Sequence, residues 1–171
     1  MTEKSLESSK HNADNRAFWE GRGQAGVCGH AVTMMAEHGR YLGYVHDAEV
    51  RFLRDHLRNR PGGRILDFGC GTGRLAIALA PLAREIVGLE PAGSLVTLAR
   101  EAVAAKALNN VHIDQAGLDN PQPSASFDTV ILSGVLNCLD DEWVVEGLRN
   151  AAQALVPGGL LVVRKIGRAH V

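Results

Sequence analysis

The stretch ILDFGCGTGRLA, residues 65–76, constrains the fold of this chain most strongly. An apolar run ends at Asp67, three glycines follow at every second position, and a helical pattern begins at Arg74. Glycine has no Cβ, so a glycine-rich turn lets the backbone approach a ligand closely, and the helix that follows presents free N–H groups at its start. The stretch therefore predicts a strand, a ligand-binding turn and a helix in direct succession.

Short apolar runs alternate with helical stretches from this point onward. The runs RILDF, EIVGL, NVHID, FDTVIL and GLLVVRK have the composition of buried strands. Helical patterns cover residues 74–83, 94–108 and 141–155. Such alternation predicts an α/β fold with a doubly wound, Rossmann-like, mainly parallel sheet and helices on both faces, where ligands bind beyond the carboxyl ends of the strands.

The patterning also divides the chain into segments. We predict a mobile N-terminus, a helical lid or arm, a ligand-binding Rossmann-like domain and a non-native tail, over residues 1–15, 16–63, 64–165 and 166–171. The tail, IGRAHV, is suspected because it interrupts the last predicted strand.

The arm begins with two neighbouring aromatic residues. Phe18 and Trp19 precede a glycine-rich stretch, which predicts an anchored turn before a helix at about residues 31–39. A second helix ends at a Pro-Gly-Gly stop. The two rings either anchor the arm or line a substrate pocket, and we favour the anchor.

The composition narrows the classes of partner. A formal net charge of −1 provides no basic field for a phosphate backbone, which favours a small-molecule substrate over nucleic acid. Cys28, Cys70 and Cys138 form no CxxC pair, which indicates a reducing compartment. The sequence contains neither an apolar run as long as a membrane span nor the apolar core of a signal peptide. We therefore expect a cytoplasmic protein without a membrane or nucleic-acid partner; no feature predicts its oligomeric state.

Two carboxylates near the glycines indicate the kind of ligand. Asp67 stands just before the turn, where it would repel a pyrophosphate but would suit an ammonium group. Glu90 closes the next predicted strand, at the usual place for a carboxylate that accepts both ribose hydroxyls. The glycines Gly69, Gly71 and Gly73 also depart from the dinucleotide fingerprint, whose third glycine comes one residue later. We expect a ligand with a ribose at one end and an amine near the turn.

With these motifs in order, the chain resembles the class I S-adenosylmethionine-dependent methyltransferases of the small-molecule type. ILDFGCGTG matches the first motif of that family, IVGLEPAGSLVTLARE the second, FDTVILSGVLNCL the fourth, and ALVPGGLLVVRK the turn and strand that follow. The resemblance implies S-adenosylmethionine as the cofactor, a small-molecule acceptor, and a C-terminal antiparallel hairpin that this chain would lack.

The resemblance also implies a set of cofactor-binding residues. The positions that match are Asp67, Gly69, Cys70, Gly71, Gly73, Glu90, Pro91, Ala92, Ala116, Gly117 and Ser133. The chain departs from the family after the third strand, where Ala116 or Gly117 replaces the acidic residue that accepts the adenine amino group. Either Asp119 or the backbone of Ala116 and Gly117 would then supply that contact.

Methyl transfer from a sulfonium needs alignment of the acceptor and exclusion of water, and no covalent residue is required. A hydroxyl acceptor would benefit from a general base. The candidates for acceptor contact or base are Asn137, His30, His38 and His46, and the sequence does not choose among them. Asn137 can orient an acceptor but cannot take its proton.

Other interpretations remain open at this point. A nicotinamide-dependent oxidoreductase shares the fold class, although the glycine spacing and Asp67 disfavour it. A non-catalytic fragment that only binds S-adenosylmethionine is the second alternative. Cys28 and His30 have no matching second pair, so we expect no metal.

Overall fold

The computed structural model of the chain describes residues 3–25, 39–60, 62–120, 122 and 125–164. At its centre lies a five-stranded sheet with the order β3-β2-β1-β4-β5, and each neighbouring pair of strands is parallel. The strands are β1 Gly63–Phe68, β2 Ala83–Glu90, β3 Val111–Gln115, β4 Phe127–Ser133 and β5 Leu155–Arg164. Each predicted strand is present, and the prediction of a doubly wound, Rossmann-like parallel sheet is confirmed.

Five helices accompany the sheet in the part of the chain described. They are α1 Glu3–Gln24, α2 Gly39–Leu57, α3 Arg74–Leu79, α4 Gly93–Ala105 and α5 Asp141–Ala154. The helix predicted to begin at Arg74 is shorter than expected, because it gives way to a 3₁₀ turn over Ala80–Leu82. Pro81 lies in that turn and lacks the N–H that would continue the α-helical ladder.

Both faces of the sheet are covered. Ile65, Ile86 and Ile131 point to one face, where they share a buried core with residues of α2, α3 and α4. Leu66 and Phe68 alternate to the opposite face, whose core includes Ala151 and Ala154 of α5. This alternation of buried residues from one strand is the pattern of a sheet buried on both sides.

The strand order reverses between β1 and β4, and the glycine turn leaves β1 at this point. Gly69, Gly71 and Gly73 all have positive φ, of 65°, 57° and 74°. The N–H groups of Gly69 and Cys70 donate to the carbonyl of Leu89 at 2.7 and 3.0 Å, which fixes the turn against the end of β2. Ligands of open α/β sheets bind at such a switch point.

The N-terminal segment differs from its prediction. Helix α1 begins at Glu3, inside the segment expected to be mobile, and Phe18 and Trp19 lie within it rather than in a turn. The prediction of a turn there is wrong, because the glycines that follow do not interrupt the helix before Gln24. α1 packs against α4 through contacts that include Trp19 and Leu95.

Some predictions fall outside the described residues. These are the roles of Cys28, His30 and His38, most of the helix expected at residues 31–39, and the suspected tail at residues 166–171. Among the residues that are described, no helix is both long and apolar enough to cross a bilayer.

Candidate cofactor and acceptor site

A cavity of about 620 Å³ opens at the carboxyl ends of the strands, between the glycine turn and α1. Its floor consists of the ends of β1, β2, β3 and β4, and α1 and the start of α5 form its walls. The lining residues are Asn15, Arg16, Ala17, Trp19, Glu20, Gly69, Gly71, Glu90, Pro91, Leu95, Gln115, Ala116, Gly117, Leu118, Asp119, Ser133, Gly134, Val135, Cys138, Leu139 and Trp143.

Two glycines of the turn, Gly69 and Gly71, line this cavity and differ in the space around them. A Cβ on Gly69 would lie 2.4 Å from Cγ2 of Val135, so a side chain there would displace the segment after β4. A Cβ on Gly71 would meet no described atom within 4 Å. Because Gly71 also lines the cavity, the space beside its Cα is open to a ligand.

The carboxylate of Glu90 is fixed from both sides by backbone donors. The N–H of Gly71 donates to Oε2 at 3.0 Å, and the N–H of Ala92 donates to Oε1 at 2.9 Å. The residue is only 5% exposed, and this burial raises the pKa of its carboxyl above the usual range, against the two hydrogen bonds, which lower it. Each oxygen keeps a lone pair that can accept from a ligand hydroxyl.

Asp67 is buried at the end of β1, behind the turn. It is 2% exposed, and its Oδ2 has no hydrogen-bond partner among the described residues. Burial raises the pKa of this carboxyl to about 7, and the negative charges of Glu49 and Glu90 add to the shift, whereas the Arg74 guanidinium opposes it. An unpartnered buried carboxylate oxygen is costly, so a cationic ligand group beside it would lower the free energy of the site.

The structure brings most of the residues implied by the resemblance to the cavity. Gly69, Gly71, Glu90, Pro91, Ala116, Gly117 and Ser133 line it, whereas Asp67, Cys70, Gly73 and Ala92 lie behind that lining. Burial raises the pKa of the Cys70 thiol well above its usual value, so the thiol stays protonated and packs in the core as a small filler.

Of the candidates for acceptor contact or base, the two that lie among the described residues, Asn137 and His46, are not part of the cavity lining. Asn137 lies in the 3₁₀ turn over Leu136–Cys138, and its neighbour Cys138 lines the cavity in its place. His46 lies in α2, with Nδ1 2.8 Å from Nη1 of Arg74, and is not part of the lining. Neither placement assigns a general base.

The sequence predicted a helical lid or arm over residues 16–63, but it did not indicate which residues of α1 and α5 reach the cavity. Asn15, Trp19 and Glu20 reach the cavity from α1, and Trp143 reaches it from the first turn of α5. The sequence signal for this role is the aromatic pair at residues 18 and 19, for which an anchor and a pocket wall are the two interpretations. Trp19 combines them, because it packs on Leu95 and also lines the cavity.

Helix α1 is attached to both rims of the cavity. Both carboxylate oxygens of Glu20 accept from the N–H of Ser94, at 3.1 and 3.2 Å, and the Ser94 hydroxyl donates to the carbonyl of Glu20 at 2.8 Å. The Asn15 amide donates to the carbonyl of Cys138 on the opposite rim. Since the N-cap of α4, Ala92, provides no side-chain oxygen, Glu20 acts as its cap from a distant part of the chain.

Comparison with known proteins identifies the family. Residues 65–159 match the family described as "Methyltransferase domain". The ubiquinone biosynthesis O-methyltransferase of Azorhizobium caulinodans is 29% identical over 95% of this chain and 62% of its own length. A 23S rRNA uracil C5-methyltransferase of Alkalilimnicola ehrlichii is 38% identical over 52% of this chain and 21% of its own length.

A solved structure supports the same fold. Phosphoethanolamine N-methyltransferase 1 of Haemonchus contortus, in complex with phosphoethanolamine and S-adenosylhomocysteine, superposes with a TM-score of 0.78. It is 21% identical and aligns with 96% of this chain but 33% of its own.

The chain thus spans less than two thirds of the curated relatives it matches first, between 49% and 62% of their length. The family match nevertheless covers more than half of this chain and includes the glycine turn, both carboxylates and the end of β4. The resemblance inferred from the motifs is confirmed, and the chain belongs to the class I S-adenosylmethionine-dependent methyltransferases.

Proposed function

We propose that this domain binds S-adenosylmethionine in the cavity at the carboxyl ends of the strands and transfers its methyl group to a small-molecule acceptor. The observation that carries the proposal is the pair of buried carboxylates at the glycine turn. Asp67 has an oxygen that no described residue contacts by a hydrogen bond, and the Glu90 carboxylate is held in place by two N–H groups.

The residues present fit the cofactor from one end to the other. Asp67 lies behind the lining with an oxygen that has no partner among the described residues, and its charge suits the ammonium of the methionine part. Glu90 lies in the lining and suits the two ribose hydroxyls. The open space at Gly71 admits the chain between them. A dinucleotide fits less well, because its pyrophosphate would lie at the glycine turn, where the Asp67 carboxylate would repel it.

The cofactor supplies an activated methyl group on a sulfonium, and the protein positions its partner and excludes water. Trp19 of α1 and Val135, which packs against Gly69, both line the cavity. Ser133 and Gly134 end β4 at the same edge, so the acceptor would lie between them and α1. We propose that these residues position the acceptor and exclude water from it, and we propose no proton-transfer role for them.

The lining also favours one class of acceptor. Trp19, Val135, Leu139 and Trp143 present apolar surface beside the cofactor residues. The acids of the lining are Glu20, Glu90 and Asp119, against one cation, the exposed Arg16. This balance repels phosphate, so we propose a neutral acceptor with an apolar ring, in line with the name of the ubiquinone-pathway relative.

The turnover experiment offers three acceptors to the protein with S-adenosylmethionine and measures S-adenosylhomocysteine released. We expect release with a catechol, and none with phosphoethanolamine or a short RNA hairpin. Release with phosphoethanolamine or RNA alone would contradict the proposed acceptor class. Binding of the cofactor without release for any acceptor of a wider phenol panel would favour the alternative of a non-catalytic cofactor-binding fragment.

The remaining expectations are also proposals. We infer a cytoplasmic location without a nucleic-acid or membrane partner from the net charge of −1 and the apolar lining. We propose segment boundaries at residues 63 and 165. The boundary at residue 15 is replaced by a lid that includes all of α1, because this helix runs across that residue. The lid function of α1 is supported by its two attachments to the cavity rims.

Replacing Gly71 with alanine tests the approach of the cofactor to the turn. The methyl group would project into the cavity, and we expect binding of S-adenosylhomocysteine to weaken at least about tenfold. The matched control is Gly62→Ala, because Gly62 has a φ of 71° and equally open space in the described structure, but lies away from the cavity. Both variants should lose about 1–2 kcal/mol of stability from the positive φ, and equal affinities in the two would argue against the proposed position of the cofactor.

Asp119 tests the recognition of adenine. A Cβ on Gly117 would lie 2.3 Å from Oδ1 of Asp119, so this carboxylate folds over the end of β3, where the family has an acid. We propose that it accepts the adenine amino group, and we expect Asp119→Ala to weaken binding about threefold to tenfold. The exposed Asp114→Ala is the control.

A second ligand sharpens this test. S-inosylhomocysteine has a carbonyl in place of the adenine amino group and would face Asp119 with an acceptor. Wild-type protein should therefore prefer S-adenosylhomocysteine, and Asp119→Ala should lose that preference. An unchanged preference would assign adenine recognition to the backbone of Ala116 and Gly117 instead.

A further inference from the structure

A buried ionic cluster lies beneath the glycine turn, outside the cavity lining except at Ser133. Glu49 of α2 stands at its centre with a side chain that is 7% exposed. Its Oε2 accepts from Nη2 of Arg74 at 2.9 Å, and its Oε1 accepts from Nε of Arg164 at 2.8 Å and from the Ser133 hydroxyl. One carboxylate thus joins α2 to α3, β4 and β5.

Arg74 is held on the side of α2. Besides Glu49, its guanidinium donates to the Ser133 hydroxyl at 3.4 Å, and its Nη1 lies 2.8 Å from Nδ1 of His46. Both terminal nitrogens are therefore occupied by partners other than Asp67. Arg74 nevertheless lies close enough to Asp67 for its charge to lower the pKa of that carboxyl.

This arrangement is unexpected on electrostatic grounds. Asp67 keeps a buried oxygen without a described partner, although a guanidinium that could satisfy it lies nearby. A carboxylate and an arginine in a buried site normally pair. The carboxylate of Glu49 accepts from the same guanidinium at 2.9 Å and is therefore a competitor for Arg74.

We propose that Glu49 is a positioning residue of the cofactor site: by binding Arg74 it keeps the guanidinium off Asp67 and so leaves the Asp67 carboxylate free for the ammonium group of the ligand. This inference rests on the proposed function, because it assumes that Asp67 receives the ligand amine. Without Glu49, Arg74 would turn to Asp67 and compete with the ligand. With Arg74 and Arg164 paired to Glu49, the two positive charges of the cluster balance the two negative charges of Glu49 and Asp67.

Four proteins test the inference by calorimetric titration with S-adenosylhomocysteine: wild type, Glu49→Gln, Arg74→Gln and the double variant. We expect Glu49→Gln to bind about tenfold more weakly than wild type. In the double variant the competing guanidinium is gone, and affinity should return to within about threefold of wild type. A double variant that binds as weakly as Glu49→Gln, or more weakly, would show that Glu49 is only structural and would overturn the inference.

A second readout needs no ligand. The groups that face Asp67 are Arg74, Glu49, Glu90 and Cys70. Removal of either charge alone would move the titration midpoint of the Asp67 carboxyl carbon, followed by NMR in the free protein, down in Glu49→Gln and up in Arg74→Gln. The shift caused by Glu49→Gln should therefore be larger in the wild-type background than in the Arg74→Gln background, because only the former has a guanidinium that can move to Asp67. Equal shifts in the two backgrounds would contradict the inference.

A control variant and the wild-type titration distinguish failure of this inference from failure of the proposed function. Glu85→Gln removes a half-exposed carboxylate that pairs with Arg64 at the other end of the sheet, and it should leave both readouts unchanged. If Glu49→Gln does not fold, Glu49→Asp, whose shorter side chain withdraws the carboxylate from Arg74, takes its place in the same four-protein comparison, with the same expected and contradicting results. Absence of binding by folded wild-type protein would refute the proposed function, whereas wild-type binding that Glu49→Gln leaves unchanged would refute this inference alone.

Discussion

The Glu90→Gln variant should bind S-adenosylhomocysteine at least about 100-fold more weakly than the wild-type domain, since each of the two charge-assisted hydrogen bonds to ribose is worth about 1.5–3 kcal/mol. The loss has a second cause. A glutamine amide would direct its NH₂ toward one of the two N–H groups, of Gly71 or Ala92, that now donate to the carboxylate. The side chain would rotate away from the ribose or leave a donor unsatisfied.

The matched control for this variant is Glu85→Gln on the same strand. Glu85 lies near the start of β2, remote from the cavity, and pairs there with Arg64. The Glu85→Gln variant should bind S-adenosylhomocysteine with wild-type affinity, as measured by calorimetric titration at the same pH. If Glu90→Gln also keeps wild-type affinity, the ribose does not bind at the end of β2.

The Asp67→Asn variant should also lose at least about 100-fold in affinity for S-adenosylhomocysteine, because a buried ammonium without its carboxylate costs about 3–5 kcal/mol. In wild type, the ligand requires the ionised form of Asp67, whose pKa is about 7 in the free protein. Affinity should therefore fall as the pH drops below about 7 in wild type. It should be much less dependent on pH in Asp67→Asn.

The same substitution should change the pH dependence of stability. The pKa of Asp67 is raised from 3.8 to about 7 by folding, so the folded state binds more protons than the unfolded state between these values. Its contribution to stability is fully present below the unfolded pKa and is lost as the pH rises through about 7.

Denaturant unfolding at about pH 5 and about pH 8 measures this contribution. From the lower to the higher pH, the free energy of unfolding should fall by about 2–4 kcal/mol more in wild type than in Asp67→Asn. The raised pKa of Glu90 acts in the same direction but is common to both proteins. Parallel pH profiles for the two proteins would mean that the Asp67 carboxyl is not strongly desolvated. They would remove the argument for a ligand cation beside it.

The core of the site was predictable because its determinants are local in sequence. Asp67 and the glycines follow directly from the end of β1, and Glu90 from the end of β2. A parallel sheet brings the carboxyl ends of its strands to one edge, so the pattern of strands alone places these groups together. Helix α3 ends earlier than predicted because of Pro81, a local signal that is also visible in the sequence.

The walls of the site were not predictable for the opposite reason. The contact of Glu20 with Ser94 joins residues 74 positions apart, and that of Glu49 with Arg164 joins residues 115 apart. Helix α1 is polar along most of its length, so no apolar periodicity indicated a helix there. Its position over the cavity depends on contacts with α4 that no local pattern encodes.

Calorimetric titration of the wild-type protein with S-adenosylhomocysteine, with NAD titrated in parallel, tests the central claim most directly. We predict micromolar binding of S-adenosylhomocysteine with one site per chain and no measurable binding of NAD. Binding of NAD with comparable affinity, or a folded protein that binds neither ligand, would contradict the assignment of this cavity to S-adenosylmethionine.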